Sequence, residues 1–241
     1  MAPFTDGGRP VDRTNWPSTF ISYYSFGGAI ALALDLTLRE RSGGRVTLDD
    51  YMRAMWRVHG KPGGSREGYV DRPYTIADAE ARLAEVAGDP AFARDFFARY
   101  IQGHEVADYA RLLAQAGMAL RKSNAGHAWW GDVRLEPGNG AVRVAAAPAI
   151  DTPAYAGGLD VDDEVRQMDR ARIASPEDIN AVLRRHRPGD AILVVFVDRT
   201  GAEKQTSVTL REDPDLNLRP IEELGGALTP AQKTFRQHWL N

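Results

Sequence analysis

The hydrophobic pattern of this chain changes period part-way along, and that change restricts the fold more than any single motif does. Up to about Met118 the apolar residues recur at helical spacing, whereas from about Trp129 they alternate with polar ones, as on a half-buried strand. VRLEP, GAVRVAAA, AILVVFVDRTG and KQTSVTLRE carry the alternation, and Asn139-Gly140 and Thr200-Gly201 supply the residues of hairpin turns. A chain of this kind is α+β with two domains, an all-helical one followed by a small β domain. The expected boundaries are 1–118 for the helical part, 119–212 for the β part and 213–241 for a C-terminal extension ending in a short helix.

The helices are announced by their ends. The uncharged run Phe20 to Leu34 is followed by Asp35 and by basic residues that complement a helix dipole, and Gly43-Gly44 stops it. Thr19 or Ser18 is the expected cap. The run is too short for a membrane span of about 20 residues, so it reads as a buried helix. Thr47-Leu48-Asp49-Asp50 is a capping box variant that opens a second helix ending near His59-Gly60. Lys61 to Arg72 is a polar, glycine-rich loop. Thr75 starts a helix through Ala87, Asp89-Pro90 starts the next, and a last one is expected from Val106 to Ala116, stopped by Gly117. Within the β part, Ser175-Pro176-Glu177-Asp178 opens one further helix carrying Ile179, Val182 and Leu183.

Composition removes several functions. The 30 Lys+Arg against 33 Asp+Glu leave a formal charge of -3, which offers no excess of cations for nucleic acid. With no cysteine there is no disulfide, thiolate zinc site or cysteine nucleophile. None of the five histidines pairs at zinc-site spacing: after His104-Glu105 the position four residues on from the histidine is Asp108. No G-x-S-x-G elbow and no complete phosphate loop occur. The pairs Asp49-Asp50 and Asp162-Asp163 read as solvated faces or turns, and Tyr23-Tyr24, taken alone, as core aromatics. The N-terminal MAPFTDGGRPVDRTNW has neither the apolar core of a signal peptide nor the character of a transit peptide, and bacterial cytoplasm and periplasm both remain open.

In this order, WPSTFISYYSFGGAIALALDLTLRER, YTIADAEARLAEVAGD, FFARYIQGHEVADYARLLAQAGM, PAYAGGLD and LTPAQKTFRQHWL resemble the C-terminal half of a glycyl aminopeptidase, a thermolysin-like zinc peptidase that ends in a PDZ domain. The resemblance implies that residues 1–118 are the helical C-terminal lobe of a peptidase domain and 119–212 a PDZ sandwich or partly open barrel. It implies release of N-terminal Gly or Ala from peptides, with zinc held by a preceding HExxH part that this sequence lacks, so that the chain is inactive alone and contains no metal ligand. Tyr24, with Tyr23 second, is the implied oxyanion donor, three residues before Gly27. The implied peptide-binding residues are Trp130 and Gly131 in the carboxylate loop and Ile179, Val182 and Leu183 on the facing helix. The implied partners are a peptide substrate or peptide C-termini, with no nucleic acid and no membrane span. A stand-alone peptide-binding module on a helical support and a purely structural chain are the alternatives.

Overall fold

A computed structural model describes residues 22–138 and 140–240, and within them the chain forms two compact units. The helical unit comprises 22–120 and 218–240, and the β unit 121–217. The segment 213–241, expected as a separate extension, is thus divided between the two.

The helical unit begins with α1 (Tyr23–Ser42), α2 (Leu48–Met55), α3 (Ile76–Ala87), α4 (Pro90–Phe96) and α5 (Tyr109–Ala114). Each starts at a short polar side chain that takes an otherwise unpaired backbone N–H. Ser22 Oγ accepts from Ser25 N–H, and the capping boxes of Thr47 with Asp50 and Thr75 with Asp78 are both formed. The expected caps Thr19 and Ser18 lie outside the described residues, and the cap in place is Ser22. Asp89 accepts from Ala91 and Phe92, and Asp108 from Arg111. That last bond moves the start of α5 from Val106 to Tyr109 and leaves 104–108 non-helical, so His104 and Asp108 do not share a helix face.

Two helices loosen at their ends into π turns, Trp56–Gly60 closed by Lys61 N–H to Trp56 C=O and Phe97–Ile101 closed by Gln102 N–H to Phe97 C=O. Ile30, Leu34 and Leu38 of α1 pack against Leu83, Ala93, Phe96 and Phe97, while Ala33 and Leu36 meet Leu112 and Leu113. Burial in the first of these clusters pushes the Tyr51 phenol up to about 12, and its hydroxyl donates to Ala79 C=O at 3.2 Å. Asp35 is buried where α1 meets the start of α2; it accepts from Arg39 Nε at 2.8 Å and from Leu48 N–H at 2.9 Å.

The strands follow. β1 (Met118–Lys122) pairs with β10 (Leu216–Pro220), and these two strands carry the chain out of the helical unit and back into it. Between them lie β2 (Ala128–Trp129), β3 (Leu135–Pro137), β4 (Val142–Val144), the short α6 (Pro153–Ala156), β5 (Glu164–Met168), β6 (Ala171–Arg172), α7 (Pro176–Leu183), β7 (Ala191–Val197), β8 (Glu203–Thr209) and β9 (Arg211–Glu212). The main sheet runs β3-β4-β5-β7-β8 with β6 paired to β5, and β2 pairs separately with β9. Among the described residues its end strands β3 and β8 do not pair with each other, so the sheet is open where a sandwich or partly open barrel was expected.

The central strand β5 escaped the sequence reading for a physical reason. A register shift between Val165 and Gln167 places the two buried side chains Val165 and Met168 three residues apart, a spacing that mimics a helix. At the following Asp169-Arg170 turn both residues have positive φ, 45° and 67°.

After β10 the chain returns through a 3₁₀ turn, Ile221–Leu224, to α8 (Pro230–Leu240). Phe235 and Trp239 of α8 pack on the Leu36–Leu112 cluster. Arg236 donates to the carbonyls of Ala116 and Gly117 at 2.6 and 2.9 Å, and Gln232 donates to Ala114 C=O at 2.9 Å, so α8 satisfies the open end of α5. Gly117 itself is obligatory there, with φ of 66° and a Cβ position only 2.0 Å from Leu228 Cδ2. No described helix is long and apolar enough to cross a membrane.

Candidate functional site

The β unit contains a groove of about 990 Å³ between the segment Gly126–Leu135 and α7. Its first wall is built on Trp130. That side chain is 4 % exposed and belongs to the core of the unit with Val142, Val165 and Ile192, while its C=O accepts from Ala154 N–H at 2.7 Å. The next residue must therefore pass directly over Thr152, the cap of α6. Gly131 does so with φ of 126°, and a Cβ there would lie 3.0 Å from Thr152 Cβ, which explains why the position is glycine. Among the described residues no acceptor takes the backbone N–H of Gly131, Asp132 or Val133.

The same wall continues into a sheet edge. Ala145 N–H donates to Arg134 C=O at 2.8 Å and Gly138 N–H to Ala141 C=O at 2.9 Å, while Val144, opposite Leu135, bonds Asp162 and Asp163 on its other side. Alternation of the antiparallel ladder thus turns the backbone groups of Leu135, and of Val133 before it, away from β4. Because β3 is an end strand among the described residues, they line an unpaired edge. Pro137, the next outward position, has no N–H, so the row of donors stops there.

The second wall is α7. Pro176, Ile179, Asn180 and Leu183 follow helical spacing and face the groove, and Arg184 and Arg187 continue its lining beyond the end of the helix. Ile179 is 1 % exposed and belongs to both groove and core; Leu183 is half-buried at the rim. Val182 does not line the groove. It is 3 % exposed and packs in the core with Phe196 and Val208.

Charges around the groove are mostly committed. Trp129 Nε1–H donates to Asp132 Oδ1 at 2.9 Å, so the acid beside the loop is already engaged. Asp213 accepts from Asn124 Nδ2 and from Asp215 N–H, both at 2.9 Å. His186 sits between Asp169 and Asp190, at 3.1 and 3.4 Å. Arg184 and Arg187 are exposed, and Arg187 N–H donates to Asp190 Oδ2 at 2.9 Å; that bond, with the Arg187 charge acting in the same direction, holds the Asp190 carboxyl below the ordinary range.

One acid pair departs from its expected place. Asp162 turns outward with φ of 68° and meets Arg143 at 2.6 Å, as a turn residue should. Asp163 is buried and accepts from Asp160 N–H at 2.8 Å, and burial raises its carboxyl above the ordinary range. In the other pair, Asp50 closes the cap of α2, and the Thr47 N–H holds its carboxyl below that range.

In the helical unit, Tyr24 lies in the first turn of α1 and is 94 % exposed, so it is not the core aromatic that composition suggested. Tyr23 is in the same turn, and its side chain lies outside the described residues. Among the described residues no three His, Cys, Asp or Glu side chains come together as a metal site.

No family model and no curated protein matches this chain. Among solved structures it is similar to an aminopeptidase N family protein from Idiomarina loihiensis, at a TM-score of 0.67 and 21% identity, over 95% of this chain and 38% of that one. Smaller similarities are to the HtrA-type protease AlgW with a decapeptide (TM-score 0.34, 20% identity, 37% of this chain and 30% of that one) and to a serine endoprotease from Yersinia pestis (TM-score 0.32, 19% identity, 37% and 30%). The chain therefore spans well under half of the aminopeptidase N family protein, at 38%, and has an aminopeptidase-related fold of mixed helices and open sheets.

Proposed function

We propose that this chain is the C-terminal portion of a zinc-dependent aminopeptidase resembling the glycyl aminopeptidases, and that residues 119–212 are its PDZ module, a receiver of extended peptides. The likeness to an aminopeptidase N family protein over 95% of the chain supports the first part. The observation that carries the second is the unpaired edge of β3, with Val133 and Leu135 turned outward and α7 standing opposite.

In this reading a peptide adds to β3 as a further strand, exchanging backbone hydrogen bonds with Val133 and Leu135. Its terminal carboxylate meets the N–H groups of Gly131, Asp132 and Val133, and its side chains rest on Ile179 and Leu183. Val182 supports the helix from behind.

Zinc belongs to residues outside this sequence. The described residues do not fit the metal, lacking any cluster of three ligating side chains, so no step is derived through it. Tyr24 keeps the role that the resemblance implies, a hydroxyl donor to the oxyanion formed at a scissile carbonyl; its exposure leaves that hydroxyl accessible. The substrates are peptides with N-terminal Gly or Ala. A second reading, a stand-alone peptide-binding module on a helical support, is favoured by the groove's being complete within one unit.

Tryptophan fluorescence tests both readings, because Trp129 and Trp130 line the groove. Short apolar peptides with free C-termini are expected to give a saturable change, and their amidated forms a change at least about tenfold weaker, the worth of a charge-assisted hydrogen bond. Equal titration by both series would remove the carboxylate loop. Turnover of Gly- or Ala-anilides by this chain alone with added zinc would overturn the division of labour.

A further inference from the structure

We propose that Pro137 sets the length of peptide that the groove reads, so that the fitting partner is a free C-terminus held as a strand over its last three residues only. The inference rests on the peptide-groove reading and extends it to a class of partner. It starts from the register of the free edge. β3 pairs with β4 through Leu135 with Val144, Glu136 with Arg143 and Pro137 with Val142, and among the described residues its other side is unpaired. Arg134 C=O and Gly138 N–H are taken by Ala145 and Ala141, so the alternate residues Val133, Leu135 and Pro137 have their backbone groups on the free edge. An antiparallel peptide whose carboxylate sits at the N–H groups of Gly131, Asp132 and Val133 then sets its last residue beside Val133. Its third residue from the end lies beside Leu135 and its fifth beside Pro137.

These three places are not equivalent. Val133 C=O accepts from the last residue, and Leu135 offers the third from the end both an N–H and a C=O. Pro137 offers a C=O alone, so the carbonyl of the fifth residue finds no donor. Immediately beyond, Gly138 N–H closes onto Ala141 C=O at 2.9 Å and the chain returns as β4, so the edge goes no further. Pro137 is exposed, and on an edge strand its missing N–H deprives the fold of no ladder bond. It deprives only a ligand. A long strand that pairs along an open edge gains little past Leu135, whereas a short free end loses nothing. The groove is thereby fitted to projecting tails of a few residues and against the long strands of other chains.

The test uses the whole chain and isothermal titration calorimetry with peptides of one apolar C-terminal sequence, cut to three or to six residues, and the six-residue form N-methylated at its third residue from the end. The two lengths are expected to bind the parent chain within about twofold of each other, and N-methylation, which removes the donor to Leu135 C=O, should weaken binding at least about fivefold. In Pro137→Ala, which restores an N–H, the six-residue peptide should tighten about fivefold, the worth of one hydrogen bond, while the three-residue peptide keeps its affinity and so reports an intact groove. Pro137→Thr, with a better strand former, repeats the measurement where the alanine variant loses its thermal transition. A six-residue peptide that binds the parent about fivefold or more tightly than the three-residue one overturns the length limit and leaves the groove standing. So does a variant in which neither peptide changes or both change alike, since the proline then acts on the loop and not on the ladder. No binding by either length, or an N-methyl group without effect, overturns the groove reading and this inference together.

Discussion

In the β unit, Trp130, Gly131, Ile179 and Leu183 come from distant parts of the chain and meet along one groove; in the helical unit, Tyr24 stands 94 % exposed at the start of α1. The contrast teaches what makes a candidate residue testable within this chain. The groove carries its own neighbourhood: a glycine pinned over Thr152, a sheet edge turned outward and a helix wall with a defined face. Tyr24 brings an exposed hydroxyl and no surrounding wall among the described residues, so the oxyanion role proposed for it cannot be built from them.

Four measurements would break or sharpen that comparison. The largest effect is expected from Gly131→Ala, which puts a Cβ 3.0 Å from Thr152 Cβ at a φ of 126°. Strain and displacement together should cost about 3 kcal/mol in urea denaturation and remove peptide binding. An unchanged midpoint would mean that the loop does not rest on Thr152. Next comes a pair on one helix. Val182→Ala should cost about 2 kcal/mol and leave peptide affinity alone, because its side chain fills the core. Leu183→Ala should do the reverse, weakening the peptide severalfold with less than half that loss of stability. If the two exchanged roles, the face assigned to α7 would be wrong.

A smaller effect concerns Asp163, whose carboxyl burial raises. A raised acid binds its proton more readily folded than unfolded, so its stabilising contribution is complete below the unfolded value and is lost as pH rises through the folded one. Asp163→Asn keeps an acceptor for Asp160 N–H without the buried charge. It should therefore gain on the parent as pH rises above about 4, where the unfolded acid ionises, read as the difference of their denaturation midpoints. A constant difference would dismiss the burial argument. The smallest effect is expected at Tyr24→Phe: under about 0.5 kcal/mol in stability and no change in peptide affinity, since the side chain is 94 % exposed. A larger loss would place Tyr24 in a structural contact rather than at an accessible surface.

Much of the helical unit could be read in advance because helix ends are written locally. Thr47 with Asp50, Thr75 with Asp78 and Asp89 before Pro90 each satisfy backbone N–H groups within three residues of themselves. The start of α5 was misplaced by the same chemistry, since Asp108 captures Arg111 N–H and ends the extended stretch there. In the β unit, β7 and β8 alternate cleanly and were legible, whereas β5 was hidden by its bulge. At the groove, Trp130, Gly131, Ile179 and Leu183 were named from resemblance, and Val182 was named with them because a helix face cannot be chosen until the core it rests on is known.

What the sequence determined by itself, then, was the order of the main helices, the cleanly alternating strands such as β7 and β8, and most of the caps, because each depends on hydrogen bonds and side-chain periods within a few residues. Tertiary structure alone decided which strand became an open edge, which side of α7 faced outward, and which polar groups were already engaged. Those outcomes depend on pairing across the whole sheet and on polar partners such as the Trp129 indole for Asp132 or the two aspartates around His186. A backbone N–H becomes available to a ligand only after every other partner in the fold has been assigned, and no local pattern records that remainder.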